Sequence, residues 1–143
     1  MNISKKGQNG IRFLVDLVQN SSEYPVSLKE VSLRQGLSEG ALQEVITPLL
    51  ASGIILTVSK LKRKKFRLAK NPGNLKMKKI LETLEGRINL REYIRKTDVS
   101  IRNSDWIEKE VWKKLRHTFE NAMETTLEDL ARQKSYAGFD WCI

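Results

Sequence analysis

Apolar residues recur every three to four positions at Ile11, Leu14, Val15 and Val18, a spacing that predicts a helix from just after Ser4 to about Asn20. The Ser4 hydroxyl is the residue type that caps such a start. After the turn residues SSEYP, Ser27 and Glu30 have the spacing of a capping box, in which hydroxyl and carboxylate each accept from a free amide. A short second helix follows, predicted to turn Leu28, Val31 and Leu33 inward. Gln35-Gly36-Leu37 breaks it, because glycine tolerates a left-handed turn. Ser38 then caps a third helix running to about Ser52, with Leu42, Val45, Ile46 and Leu49 on its buried face. Pro48 lies inside that helix and removes one backbone bond, a structural feature that kinks it.

Gly53 ends the third helix, and the period then shortens to two. ILTVS predicts one strand, KFRLA a returning one, and the basic residues between them a turn. Three helices and a hairpin predict a winged helix-turn-helix: mainly α with a small β-hairpin wing. Asn71-Pro72-Gly73-Asn74 marks a boundary, giving a first unit at 1–75. The second, 76–143, starts with a short helix at MKKILETLEG, followed by polar residues 87 to 103 with no clear period. From Ser104 or Asp105 a long amphipathic helix carries Ile107, Val111, Leu115, Phe119 and Ala122 on one stripe. Thr125 and Glu128 suggest a second capping box, opening a last helix that holds Leu127 and Leu130.

Charge sharpens this outline. The 143-residue chain has a formal net charge of +9, the balance of a protein with a polyanionic partner. Twelve Lys and Arg oppose five Asp and Glu through Leu75, a net of +7, leaving +2 for the rest. Between Lys60 and Lys70, seven of eleven residues are cations: Lys60, Lys62, Arg63, Lys64, Lys65, Arg67 and Lys70. On a wing, such side chains neutralise phosphates of any duplex; the competing reading is a solvated edge strand guarded by lysines.

The third helix offers Ser38, Glu39, Gly40, Gln43 and Thr47 toward base edges. Gln43 is the best reader among them, since its amide both donates to and accepts from adenine. Its exposed face has no Lys or Arg, and Glu39 and Glu44 repel phosphate, so affinity must come from the wing with help from Lys5, Lys6 and Arg12. Trp106, Ile107, Val111, Leu115 and Phe119 are the candidate dimerisation residues; His117, the single histidine, is read as a surface or interface residue. Cys142 is the single cysteine, which excludes an internal disulfide framework and a multi-cysteine metal site within one chain. No cofactor is expected. A glycine-rich phosphate loop, a Ser/His/Asp set and metal-spaced carboxylates are all missing from the sequence, so no enzyme is expected either. Without an apolar run of about 18 residues or an N-terminal apolar segment, neither a membrane span nor a secretory signal is expected, and the location is read as cytoplasmic.

With those residues in view, the chain resembles the IscR, NsrR and CymR group of bacterial winged-helix transcription regulators. MNISKKGQNGIRFL is similar to the group's first helix, VSLKEVSLRQGLSEGALQEVITPLLASGII to its helix-turn-helix, and FRLAKNP to the end of its wing. ILETLEG resembles the linker helix, and VWKKLRHTFENAMETTLEDLA the dimerisation helix with its terminal turn. The resemblance implies a homodimer on double-stranded DNA with a palindromic operator, its two wings reaching adjacent minor grooves, and repression as its role. Three departures qualify it. Lys64-Lys65 stands where the group has a Gly-Gly pair, so charge replaces close backbone approach. Gly40 and Ala41 are smaller than many counterparts. The segment GRINLREYIRKTDVSIRNSD lacks the cysteines that iron-sulfur members place there, so the likeness is to the cluster-free, CymR-type members.

The tail FDWCI resembles CymR tails and the serine acetyltransferase tails that enter cysteine synthase, which makes Trp141 and Ile143 candidate docking residues for that enzyme. A terminal carboxylate with one apolar side chain suits a pocket of backbone amides; packing of Trp141 on its own dimer is the simpler alternative. The sequence thus supports a dimeric regulator, with regulation of sulfur or cysteine metabolism as its finer reading. A docking module acting through Ile143 and an unspecific basic nucleic-acid protein are the alternatives.

Overall fold

The computed structural model describes residues 3–21, 24–60, 63–86 and 106–136, leaving aside the side chains of 59, 60, 63, 106–109, 111, 112 and 133–136. The first helix, α1 (Lys5–Asn20), begins where expected: the Ser4 hydroxyl accepts from the Gly7 amide at 3.1 Å. Its most buried apolar residues are Phe13, Leu14, Val15 and Leu17, while Ile11 and Val18 are only half-buried. A helix packed on several sides buries more than a single stripe.

Ser27 closes a two-residue strand, β1 (Val26–Ser27), and caps α2 (Leu28–Gln35), its hydroxyl accepting from the Glu30 amide at 3.2 Å. The reciprocal half of the expected capping box is replaced, since the Glu30 carboxylate lies 4.0 Å from Arg34. Leu33 corrects a second expectation. It is 75% exposed, because two helical steps carry it some 200° round from the fully buried Val31. Gly36 ends α2 at φ 64°, and the Ser38 hydroxyl caps α3 (Glu39–Ala51) by accepting from the Ala41 amide at 3.1 Å. Leu42, Val45, Ile46 and Leu49 are all buried as expected.

β2 (Ile55–Lys60) and β3 (Arg63–Leu68) pair antiparallel, and β1 adds to the far side of β3, giving the sheet order β1-β3-β2. The register pairs Val26 and Thr57 with Phe66 from either side. Phe66 meets Phe13 of α1 edge to face, ring centroids 6.2 Å apart, which fixes the sheet on the first helix.

The same core continues past Leu75 through Met77, Ile80, Leu81 and Leu84 of α4 (Met77–Glu85) to Leu127 and Ala131. These last two belong to α6 (Leu127–Tyr136), which follows the long α5 (Trp106–Met123). A short backbone splice joins the segments. Met77 N–H donates to the Thr125 carbonyl and Leu127 N–H to the Leu75 carbonyl, each at 2.8 Å, around an antiparallel bridge between Lys76 and Thr126. The Lys76 ammonium adds an ion pair at 2.5 Å to Glu124, and this hydrogen bond holds the Glu124 carboxyl below its usual range. The cap of α6 lies one residue beyond expectation: Thr126 Oγ1, rather than Thr125, accepts from the Asp129 amide at 3.2 Å. Thr125 contributes its carbonyl to the splice.

Two glycines let α4 close on α1. A Cβ on Gly7 would lie 2.2 Å from a Glu85 carboxylate oxygen, and one on Gly10 would lie 2.4 Å from Leu84 Cδ1. The Ser4 amide and hydroxyl both donate to that Glu85 oxygen, the amide at 2.9 Å. On α1, Asp16 is wholly buried, and its carboxylate accepts from Arg34 Nε at 3.0 Å, from Arg34 Nη2 at 2.8 Å and from the Gln35 amide at 3.0 Å. The hydrogen bond to Asp16 raises the already high Arg34 pKa.

Removing the guanidinium leaves a buried carboxylate short of donors. Breaking a fully buried pair costs ~3–5 kcal/mol. Because the Arg34 side chain is itself 36% exposed, Arg34→Met is expected to cost about 2–3 kcal/mol, read as a lower urea midpoint at unchanged slope. Adding Asp16→Leu should recover most of that loss. An unchanged midpoint in Arg34→Met would show that Gln35 alone satisfies Asp16.

Candidate nucleic-acid interface

The buried face of α3 determines what its other side can offer. With Leu42, Val45, Ile46 and Leu49 turned inward, Ser38, Glu39, Gly40, Gln43, Glu44 and Thr47 are all exposed. Thr47 lies one helical turn past Gln43 and donates to its carbonyl at 3.2 Å, which turns the threonine hydroxyl back toward the backbone. The Gln43 amide has no hydrogen-bond partner among the described residues, so both its donor and its acceptor face solvent. Ser38 already spends one lone pair on the cap, and its O–H can still donate outward. A Cβ built on Gly40 meets nothing within 4 Å, and its φ is not positive. Neither packing nor backbone strain therefore accounts for the glycine.

Lys5 and Lys6 occupy the first turn of α1, exposed, in a turn with no acidic residue. Cations at a helix N-terminus oppose the macrodipole, so helix stability does not explain them; Glu85 supplies the missing anion from another element. Arg12 is exposed further along α1.

In the hairpin, Lys60 pairs with Arg63, Ser59 with Lys64 and Val58 with Lys65. Lys65 also pairs with Ser27 of β1, so its backbone is laddered on both sides and guards no open edge. The competing reading of a lysine-protected edge thus loses its premise at that position. Lys64 is exposed and Lys65 half-buried, without an anionic partner among the described residues. Lys62 lies outside the described residues, as do the side chains of Lys60 and Arg63.

On α5, Leu115 is 51% exposed and Phe119 half-buried. Trp106, Ile107 and Val111 lie on the same helix, with side chains outside the described set. The expectations for Trp141 and Ile143 also fall outside the described residues. His117 is exposed. No described helix is long and apolar enough to cross a membrane.

Three capped helices, a small antiparallel sheet and a cationic hairpin define a winged-helix protein of the DNA-binding type. The chain belongs to the Rrf2 family: the family model, described as an iron-dependent transcriptional regulator, matches residues 3–133. It is 29% identical over 132 residues to the HTH-type transcriptional regulator CymR of Bacillus subtilis, spanning 92% of this chain and 90% of that protein. The solved structure of CymR, the global cysteine regulator of B. subtilis, superposes with a TM-score of 0.72 at 25% identity, covering 93% of this chain and 98% of the other. The structure of T. potens IscR superposes with a TM-score of 0.69 at 30% identity, covering 96% and 90%. The chain is thus a transcriptional regulator of this family, and the relatives it matches are regulators rather than enzymes.

Iron dependence in the family description raises the question of a cluster. Iron-sulfur clusters are held chiefly by several cysteine thiolates, and this chain has one cysteine and one histidine. Among the described residues no group of three or more His, Cys, Asp or Glu could hold a metal. The donor set does not fit a thiolate-held cluster.

Gly40→Ala separates fold from binding. Alanine in a helix is favoured by up to about 1 kcal/mol over glycine, and the open space around Gly40 makes the change neutral or stabilising. A raised melting midpoint with weakened duplex binding is expected if the bare backbone approaches DNA; unchanged binding would remove Gly40 from the interface. Protein purified without oxygen should be colourless and free of stoichiometric iron, and visible absorption with bound iron would contradict the donor argument.

Proposed function

We propose that the chain is a homodimeric, sequence-specific DNA-binding repressor that uses no iron-sulfur cluster. The observation that carries this reading is the separation of chemistry between two adjacent elements. The edge of α3 offers uncharged hydrogen-bonding groups and two carboxylates, while the hairpin offers unpaired cations. Base readout and phosphate neutralisation are different tasks, and in the proposed complex one falls to each element. Gln43 with Ser38, Glu39, Gly40 and Thr47 would face base edges. Lys60, Lys62, Arg63, Lys64 and Lys65, with Lys5, Lys6 and Arg12, would meet phosphates.

Residues 1–75 supply all of these groups, and residues 76–143 would supply the dimer through α5. Leu115, half in water in a single chain, is the natural centre of that contact. Two copies related by a twofold axis would read two half-sites, which makes the operator palindromic. The likeness to B. subtilis CymR supports control of sulfur or cysteine metabolism as the biological setting.

Selection of bound duplexes from a random pool should enrich a palindrome, and enrichment of no sequence would leave only unspecific binding. On the enriched site Gln43→Ala is expected to cost about 1–3 kcal/mol, with much less on random DNA. Light scattering at micromolar concentration should report a dimer, and Leu115→Asp should return it to the monomer. A wild-type monomer would remove the palindrome argument.

A further inference from the structure

The hairpin register divides cations that look contiguous in the sequence. Side chains alternate across a sheet with a period of two, so neighbours along β3 face opposite ways. Phe66 is buried against Phe13 and shares its face with Thr57, with Ile55 and Leu68 paired one step along. Lys64, opposite Ser59, belongs to that same face but lies beyond the core, where it is exposed. Lys65, opposite Val58, and the exposed Arg67, opposite the 42% exposed Leu56, belong to the other face. None of the three cations has an anionic partner among the described residues.

We propose that the wing is a two-sided phosphate clamp: Lys64 neutralises one strand of the duplex, while Lys65 and Arg67 neutralise the other. The inference rests on the regulator reading and deepens it by adding Arg67 and assigning each cation to a strand. A hairpin lying flat on DNA presents one face, and cations on the reverse face would gain nothing from counterion release. A hairpin entering a groove edge-on presents one face to each wall, and each wall is a different phosphodiester strand. Cations on both faces suit the second geometry. The outward pair on Lys65 and Arg67 also falls on a face that the core does not need, since Leu56 beside Arg67 is left partly in water.

The test uses the full chain with Cys142→Ser, on the duplex enriched from the random pool. Lys64→Cys and Arg67→Cys are each coupled to an iron chelate that cleaves nearby sugars, and each strand is mapped separately. Cleavage centred on opposite strands is expected. In parallel, Lys64→Ala, Lys65→Ala and Arg67→Ala should each flatten the slope of log affinity against log salt by about 0.9, additively, with Lys64→Arg retaining it. Cleavage of the same strand from both positions, or an unchanged slope in Arg67→Ala, overturns the clamp and leaves the regulator reading standing. A chain that binds no duplex, enriched or random, overturns the regulator reading itself.

Discussion

The buried Asp16 carboxylate is the constraint around which the helix-turn-helix end of the molecule is arranged. A carboxylate removed from water is tolerated only when its oxygens are met by donors, and here the donors come from Arg34 and Gln35, the last two residues of α2. That requirement fixes the end of α2 against α1. Gly36 then turns the chain directly into the Ser38 cap of α3. The end of α2, from which Gly36 leads into α3, is thus held to α1 by a polar contact, while the apolar core beneath supplies the larger but less directional energy. The opposite end of α1 is fixed by different means. Gly7 and Gly10 admit α4 to within contact distance, and Ser4 grips Glu85. One helix therefore relates the helix-turn-helix, the sheet and α4.

Much of this was legible in the sequence because its signals are local. Ser4, Ser27 and Ser38 each cap the helix that follows, and the buried face of α3 was readable from four apolar residues at helical spacing. What escaped depends on partners far along the chain. Asp16 stands between Val15 and Leu17, and no local signal marks its pairing with Arg34, eighteen residues on. The Glu85 contact to Ser4 spans eighty-one residues. Leu33 misled because hydrophobicity alone suggested burial, while its angular position put it outside. β1 is two residues long, too short for any period. Within the candidate site, the period of two in KFRLA already sets Lys65 and Arg67 on the face opposite Phe66; what the pairing of β2 with β3 adds to that split is that Lys64, opposite Ser59, belongs to the strand and to the face of Phe66.

That split bears on how affinity and discrimination can be tuned apart. In the proposed complex the wing term arises from counterion release, which any duplex supplies alike. The α3 edge contributes no cation, and its Glu39 and Glu44 oppose phosphate, so it adds little to binding at a wrong site. Salt then lowers affinity for every sequence together, while the ratio between right and wrong sites depends on Gln43 and its neighbours. Were a lysine on α3 to serve both tasks, each change in affinity would also change specificity. Placing the charge on a hairpin and the readout on a capped, almost uncharged helix edge removes that coupling. The cost is geometric: the two elements must keep a fixed relation for both to act on one site. Phe66 on Phe13 holds the sheet to α1, and Asp16 on Arg34 and Gln35 holds the helix-turn-helix to the same α1. In the proposed complex the first helix, packed against both elements, is what would let two chemically independent surfaces act on one duplex.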